Sequence, residues 1–191
     1  MAVEVSLPPI PVHRFSLQEY HQLIASGGFD ENSRVELIEG VIADMSPKTP
    51  EHERVIAWLA RWLMLGVDAE QFEVRVCAAL TLEISEPEPD LMVFPLDAPQ
   101  PYHPATAALV IEVAVSSQVR DLRIKPALYA RAQVTEYWVV DVDGNRVVVH
   151  RQPQAGRYTE ISEIPGDGQI TAQALSLPVL SVAELLASAR G

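Results

Sequence analysis

The sequence predicts an α/β or α+β fold in which helices flank one mixed central sheet. Three observations carry this expectation. The segment "ALVIEVAV" is apolar except for Glu112, the pattern of a central strand covered on both faces. The segment "TEYWVVDVDGNRVVVHR" reads as a hairpin, with Asp143-Gly144 at or beside its turn. Before and between them lie stretches with apolar residues at helical spacing and capping residues at their starts.

Taken in order, residues 1–14 read as an extended arm. "MAVEVSLPPIPVHRF" has three prolines and Glu4 but no basic n-region, so it is not a signal peptide. The first helix is expected from Ser16 to about Ala25, with Ser16 and Glu19 as a capping box and Gly27 as a stop. "RVELIEGVIADM" reads as two short strands around Glu39-Gly40. A second helix starts after Thr49, which suits the N-cap, with Pro50 at the first position and Glu51 on the positive end of the dipole. Val55, Ile56, Leu59, Trp62 and Leu63 form its apolar stripe, His52 extends that stripe into the first turn, and Gly66 closes it.

"FEVRVCAALTLEI" has partial strand alternation, and "DLMVF" is a short apolar strand. In "RDLRIKPALYARAQ", Pro126 sets the start of regular helix near Lys125. "RYTEISEI" adds another strand, and a short helix from Ser181, with Glu184 in the capping-box position, ends the series. Trp138 is expected to fill the core or an interface.

The 191 residues suffice for one full core and are short for two, so residues 1–191 are expected to form a single domain. An apolar fraction of 48% and a charged fraction of 21% are those of an ordinary globular protein. No window approaches the roughly 18 apolar residues of a membrane helix. Cys77 is the sole cysteine, which excludes an intramolecular disulfide and a multi-cysteine zinc site and fits a cytoplasmic protein. The net charge of −12 repels a polyanion at long range, so any DNA binding is expected to be weak or conditional. Arg120, Arg123, Lys125 and Arg131 form the one basic run: a nucleic-acid contact through Arg120 and Arg123, or a solvated helix face.

Chemistry concentrates around "EPEPDLMVF". Asp90 enters a strand that otherwise reads as buried, so it must be solvated, paired or bound to a cation. Glu112 is the sole charge in the central strand. Carboxylates on neighbouring strands could share one hard ion, Mg²⁺ or Mn²⁺. Equally, Asp90 could cap a turn and Glu112 could pair with an arginine. Lys125 has two readings of its own: a helical ion pair with Asp121, or a cation reaching back to Glu112, where it would stabilise a pentavalent phosphate or orient water. Ser116 and Ser117 could line such a site, though no nucleophile-elbow glycines surround them. Tyr129 shares the face of Lys125 and is expected to pack. There is no Gly-rich phosphate loop and no dinucleotide fingerprint.

The ordered set "VELIEG", "MSP", "EH", "PDLMVF", "LVIEVAVSS", the spaced Asp121, Lys125 and Tyr129, and "EYWVVD", from about Arg34 to Asp141, resembles the Uma-two family. That family sits within the PD-(D/E)xK restriction-endonuclease-like superfamily. The resemblance implies a mixed four-stranded sheet flanked by helices and elaborated with extra strands. It makes Pro89-Asp90 the PD element and Glu112 the second acidic residue. Ala114 stands where the superfamily has its lysine, and Lys125 takes the displaced position. Glu36 and His52 fall on recurring family positions, Glu36 as a further metal ligand and His52 as a neutral hydrogen-bonding partner or a structural histidine.

The resulting expectation is a Mg²⁺- or Mn²⁺-dependent endonuclease acting on DNA, with the metal on Asp90, Glu112 and the backbone carbonyl of Val113. The alternative is a catalytically silent nuclease-fold binding or scaffold protein, favoured by the acidic surface and the lack of a separate DNA-reading module. A glycosidase is disfavoured because aromatic residues make up only 6% of the chain. The arm and the exposed strands of an elaborated sheet suggest a homo-oligomer, a dimer or higher.

Overall fold

A computed structural model describes residues 12–30 and 33–190; nearly all of the expected arm lies outside the described residues. Helix α1 spans Leu17–Ala25 under a complete capping box, Ser16 Oγ accepting from Glu19 N–H and the Glu19 carboxylate accepting from Ser16 N–H. Strands β1 (Val35–Ile38) and β2 (Val41–Asp44) form a small antiparallel hairpin. Its turn needs left-handed backbone at both Glu39 (φ 51°) and Gly40 (φ 74°).

Gly40 also faces the chain before α1. A Cβ there would lie 2.6 Å from Arg14 Cβ and 3.0 Å from the Phe15 carbonyl oxygen. Gly40→Ala should therefore lower stability by about 1–3 kcal/mol, read as a drop in Tm.

Helix α2 (Pro50–Gly66) starts with Thr49 Oγ1 accepting from His52 N–H, as its sequence predicts. The main sheet runs β3 (Phe72–Val76), β4 (Leu91–Pro95), β5 (Leu109–Ala114), β6 (Glu136–Asp141), β7 (Arg146–Gln154), β8 (Arg157–Pro165), in that spatial order. Only β5 and β6 are parallel. A parallel pair needs a crossover, here a wide π-helical turn (Arg120–Ile124) running into α3 (Lys125–Arg131). A second two-stranded sheet, β9 (Gln169–Ile170) with β10 (Leu180–Ser181), leads into α4 (Val182–Ser188).

Strand alternation divides the core between the two sheet faces. Leu91, Val93, Leu109, Ile111 and Val113 pack with Val55, Leu59 and Leu63 of α2 and Val182 and Leu185 of α4. Met92, Phe94, Val110 and Ala114 pack with Leu128 and Tyr129 of α3. Trp138 is buried in the first cluster, with its indole N–H donating to Glu136 Oε2 at 3.0 Å.

The structure departs from the sequence reading in one place. The strand expected through "FEVRVCAALTLEI" stops at Val76. The chain facing its second half is "EPEPD", where Pro87 and Pro89 have no N–H to continue a ladder. Cys77 N–H still donates to the Asp90 carbonyl at 2.9 Å, but Cys77 turns left-handed (φ 47°) and the regular strand ends, leaving single bonds from Leu80 N–H to the Pro87 carbonyl and from Leu82 N–H to the Ser85 carbonyl. The expectation from Pro126 is met: regular α-helix begins at Lys125, with Pro126 in its first turn. Before it the chain widens by one residue, Lys125 N–H donating to the Arg120 carbonyl.

Candidate active site

On β5, alternation turns Glu112 toward α3, away from the α2 face. Lys125 and Tyr129 are four residues apart and share a face of α3. Both reach Glu112 Oε1, Lys125 Nζ at 2.8 Å and the Tyr129 hydroxyl at 2.9 Å. Tyr129 thus adds a hydrogen bond to the packing role its sequence position suggests. The β4–β5 register pairs Leu91 with Ile111, which continued by one residue sets Asp90 opposite Glu112. Asp90 Oδ2 accepts from Val113 N–H at 2.8 Å and lies 3.1 Å from His52 Nε2, at the first turn of α2. An imidazole donating to that carboxylate carries its proton on Nε2, and among the described residues the buried Nδ1 has no partner.

Glu36, from β1, closes the other side. It accepts from Arg120 Nη1 at 2.8 Å, lies 3.3 Å from Lys125 Nζ, and takes the Glu88 N–H at 3.4 Å. Asp121, in the π-helical turn, lies 3.7 Å from Lys125 Nζ and accepts from the Ser117 hydroxyl. Both readings of Lys125 therefore hold together: it pairs with Asp121 and reaches Glu112.

One cleft collects these groups, with Glu36, Glu88, Asp90, Glu112, Asp121 and Lys125 in its wall and His52, Val113, Ser117, Arg34 and Arg120 completing it. Its cavity is about 40 Å³. At roughly 10–15 Å³ per water, that suits an ion with a few waters and is far below a small-molecule pocket. The carboxylates of "EPEPD" have different fates. Glu86 turns away to Thr81 Oγ1 (2.9 Å) and His21 Nε2 (3.0 Å), while Glu88 and Asp90 face the cleft.

Burial sets the electrostatics. It pushes the Glu112 carboxyl well above the usual range, an effect that Lys125 opposes and that Asp121 and Asp90 reinforce. Burial likewise raises Asp121 and Glu88. For Lys125, burial disfavours the ammonium, but Glu112, Glu36 and Asp121 outweigh it and hold the pKa above its ordinary value. Lys125 keeps its proton. Burial and the neighbouring Glu112 push Tyr129 well up, so its phenol stays a donor.

The structure brings together Asp90, Glu112, Lys125, Glu36, His52, Val113 and Arg120. Arg123 is exposed and stands outside the cleft, as does Ser116. The basic run forms no common surface: Lys125 is buried, Arg120 is paired to Glu36, and Arg131 is paired to Glu39. Sequence reasoning missed Asp121, Glu88 and Arg34 as parts of the site. The spacing of Asp121 four residues before Lys125 was the available signal for the first.

Among the described residues, no three His, Cys, Asp or Glu side chains converge at metal-ligand spacing. The donor set nevertheless fits a hard cation. Asp90 Oδ1 and Glu112 Oε2 accept no hydrogen bond among the described residues, since both carboxylates are held through their other oxygen. One or two carboxylates plus waters is the usual manner of binding Mg²⁺.

A family model described as "Uma2: Putative restriction endonuclease" matches residues 17–184. This chain belongs to the Uma2 family. The resemblance read from the sequence motifs is borne out. A crystal structure of a "putative nuclease belonging to DUF820" from Anabaena variabilis ATCC 29413 superposes with a TM-score of 0.74 at 19% identity. The match covers 92% of this Uma2 chain and 99% of the other. It establishes a shared fold, a mixed sheet flanked by helices. No curated protein matches the chain. Among the described residues, no helix is long and apolar enough to cross a membrane.

Proposed function

We propose that this Uma2 protein hydrolyses phosphodiester bonds in DNA, using Mg²⁺ or Mn²⁺ held by Asp90 and Glu112. One observation carries the proposal: two carboxylates from neighbouring strands face one small cleft, each with an oxygen to spare, beside a buried ammonium. The Val113 carbonyl, on the residue whose N–H binds Asp90, would supply a further oxygen. When bound, the ion polarises a phosphoryl oxygen and lowers the pKa of water.

The remaining roles fall to the chain itself. Val113 N–H and His52 hold Asp90 in one orientation, and Tyr129 and Lys125 hold Glu112. Because Lys125 stays protonated, it positions water or steadies charge growing on the phosphate, and it does not act as a base. Glu36 anchors Lys125 and Arg120 at once. Arg120, held by Glu36 at the cleft wall, would meet a DNA phosphate there, and the exposed Arg123, three residues on and outside the cleft, would meet the backbone beyond it.

The test is incubation of the purified chain with duplex, single-stranded and branched DNA, and with RNA, in Mg²⁺ or Mn²⁺. The expected outcome is DNA cleavage abolished by chelation. No cleavage of any substrate would favour the silent scaffold, a reading supported by Lys125 already offsetting charge in the cluster. The pH dependence has a definite sign. Glu112 must be ionised to hold a cation, and its pKa is raised, so its ionised fraction grows as pH rises toward that value. Mn²⁺ affinity should go on increasing with pH above the usual carboxylate range, with protons released on binding. Calorimetry in buffers of different ionisation enthalpy would detect them.

A further inference from the structure

The sheet has two edges, β3 and β8, and they differ in chemistry. On β3, Cys77 N–H donates to the Asp90 carbonyl and Leu96 N–H to the Gln71 carbonyl. The alternation of an antiparallel ladder then directs the backbone groups of Glu73 and Arg75 toward β4. Those of Phe72, Val74 and Val76 point away from the sheet, Phe72 N–H turning to the Asp68 carbonyl. Among the described residues no strand pairs with this side.

The side chains of "FEVRV" are also symmetric. Phe72, Val74 and Val76 lie on the α2 face, where Phe72 and Val74 border an open apolar groove with Met64 (60% exposed) and Leu96 (51% exposed). Glu73 and Arg75 sit on either side of Val74 on the opposite face, 2.7 Å apart. A bare edge with apolar flanks is a template for another strand.

We infer that β3 pairs with β3 of a second copy of this chain, antiparallel, about a twofold axis through Val74. In that register Glu73 stands opposite Arg75 of the other copy, and Arg75 opposite Glu73, so a strand with one acid and one base becomes its own electrostatic complement. The outward groups of Phe72, Val74 and Val76 then make about four backbone hydrogen bonds across the axis. Phe72, Val74 and Met64 meet their counterparts on the α2 face. The other edge lacks this property: turned about its own centre, Ile161, β8 sets Glu163 against Thr159 and Glu160 against Ser162, leaving its acids without a base. At physiological salt the net charge of −12 is screened beyond a Debye length of roughly 8 Å, so the charges that bear on association are those close to the contact.

Sedimentation of the full chain tests this with two charge reversals. Wild type should be a dimer. Arg75→Glu places two acids opposite two acids, and Glu73→Arg places two bases opposite two bases. Each should sediment as a monomer, or as a dimer weakened at least tenfold, with wild-type circular dichroism. An equimolar mixture of the two variants should recover the dimer mass, because each strand then faces its complement. The double variant Glu73→Arg/Arg75→Glu should recover it alone. A monomeric wild type at all accessible concentrations, or single reversals that dimerise as tightly as wild type, would overturn the inference. If one variant fails to fold, the other and the double variant still decide it.

Discussion

Lys125→Met should destabilise the protein by roughly 3–5 kcal/mol at neutral pH, the usual cost of stranding buried charge when one partner is removed. Methionine fills a similar volume, so packing changes little. What is lost is the ammonium within 2.8 Å of Glu112, 3.3 Å of Glu36 and 3.7 Å of Asp121. For a chain of this size that corresponds to a Tm lower by about 6–20 °C. The deficit should depend on pH in one direction. Without Lys125, Glu112 and Asp121 remain buried only by holding protons, which raises their folded pKa further above the unfolded value. Groups shifted that way favour the fold below the unfolded pKa and lose that contribution as pH rises through the folded one. The gap in Tm between variant and wild type should therefore narrow on acidification. A variant with the wild-type Tm at neutral pH would mean that Lys125 balances nothing.

Glu112→Gln should have the opposite profile, with DNA cleavage falling at least a hundredfold and Tm moving by only a few degrees. Glutamine keeps an oxygen for the Tyr129 hydroxyl and Lys125 Nζ, and Lys125 retains Glu36 and Asp121, so no charge is orphaned. The change also relieves a carboxyl whose ionised form is costly where it lies. A parallel assay of cleavage rate and thermal melting separates the cases. Cleavage that survives would remove Glu112 from the chemistry, and collapse of the fold would make it structural.

The reach of the sequence follows from what kind of physics fixes each element. Caps and periodicity are local, so α1, α2 and the β6–β7 hairpin were legible where Ser16, Thr49 and Asp143-Gly144 stand. The placement of Glu112 on a central strand followed from its apolar neighbours. The end of β3 was not legible, because what stops it is the pair Pro87 and Pro89 on the chain opposite. Within the site, Asp90, Glu112 and Lys125 were found as charges that break a pattern. Asp121 and Arg34 break none, and only the tertiary arrangement shows that they face the same cleft. Arg123 illustrates the reverse: a run of basic residues says nothing of which cations are already paired, and of the four only Lys125 and Arg120 border the cleft.

The central claim is that Asp90 enters its strand to hold a cation, and the most direct measurement is a calorimetric Mn²⁺ titration of wild type beside Asp90→Asn. Asparagine can still accept from Val113 N–H and face His52, so the fold should persist with unchanged circular dichroism. The account predicts saturable Mn²⁺ binding by wild type and none by the variant. Equal binding by both proteins would contradict it, as would an Asp90→Asn protein that no longer folds.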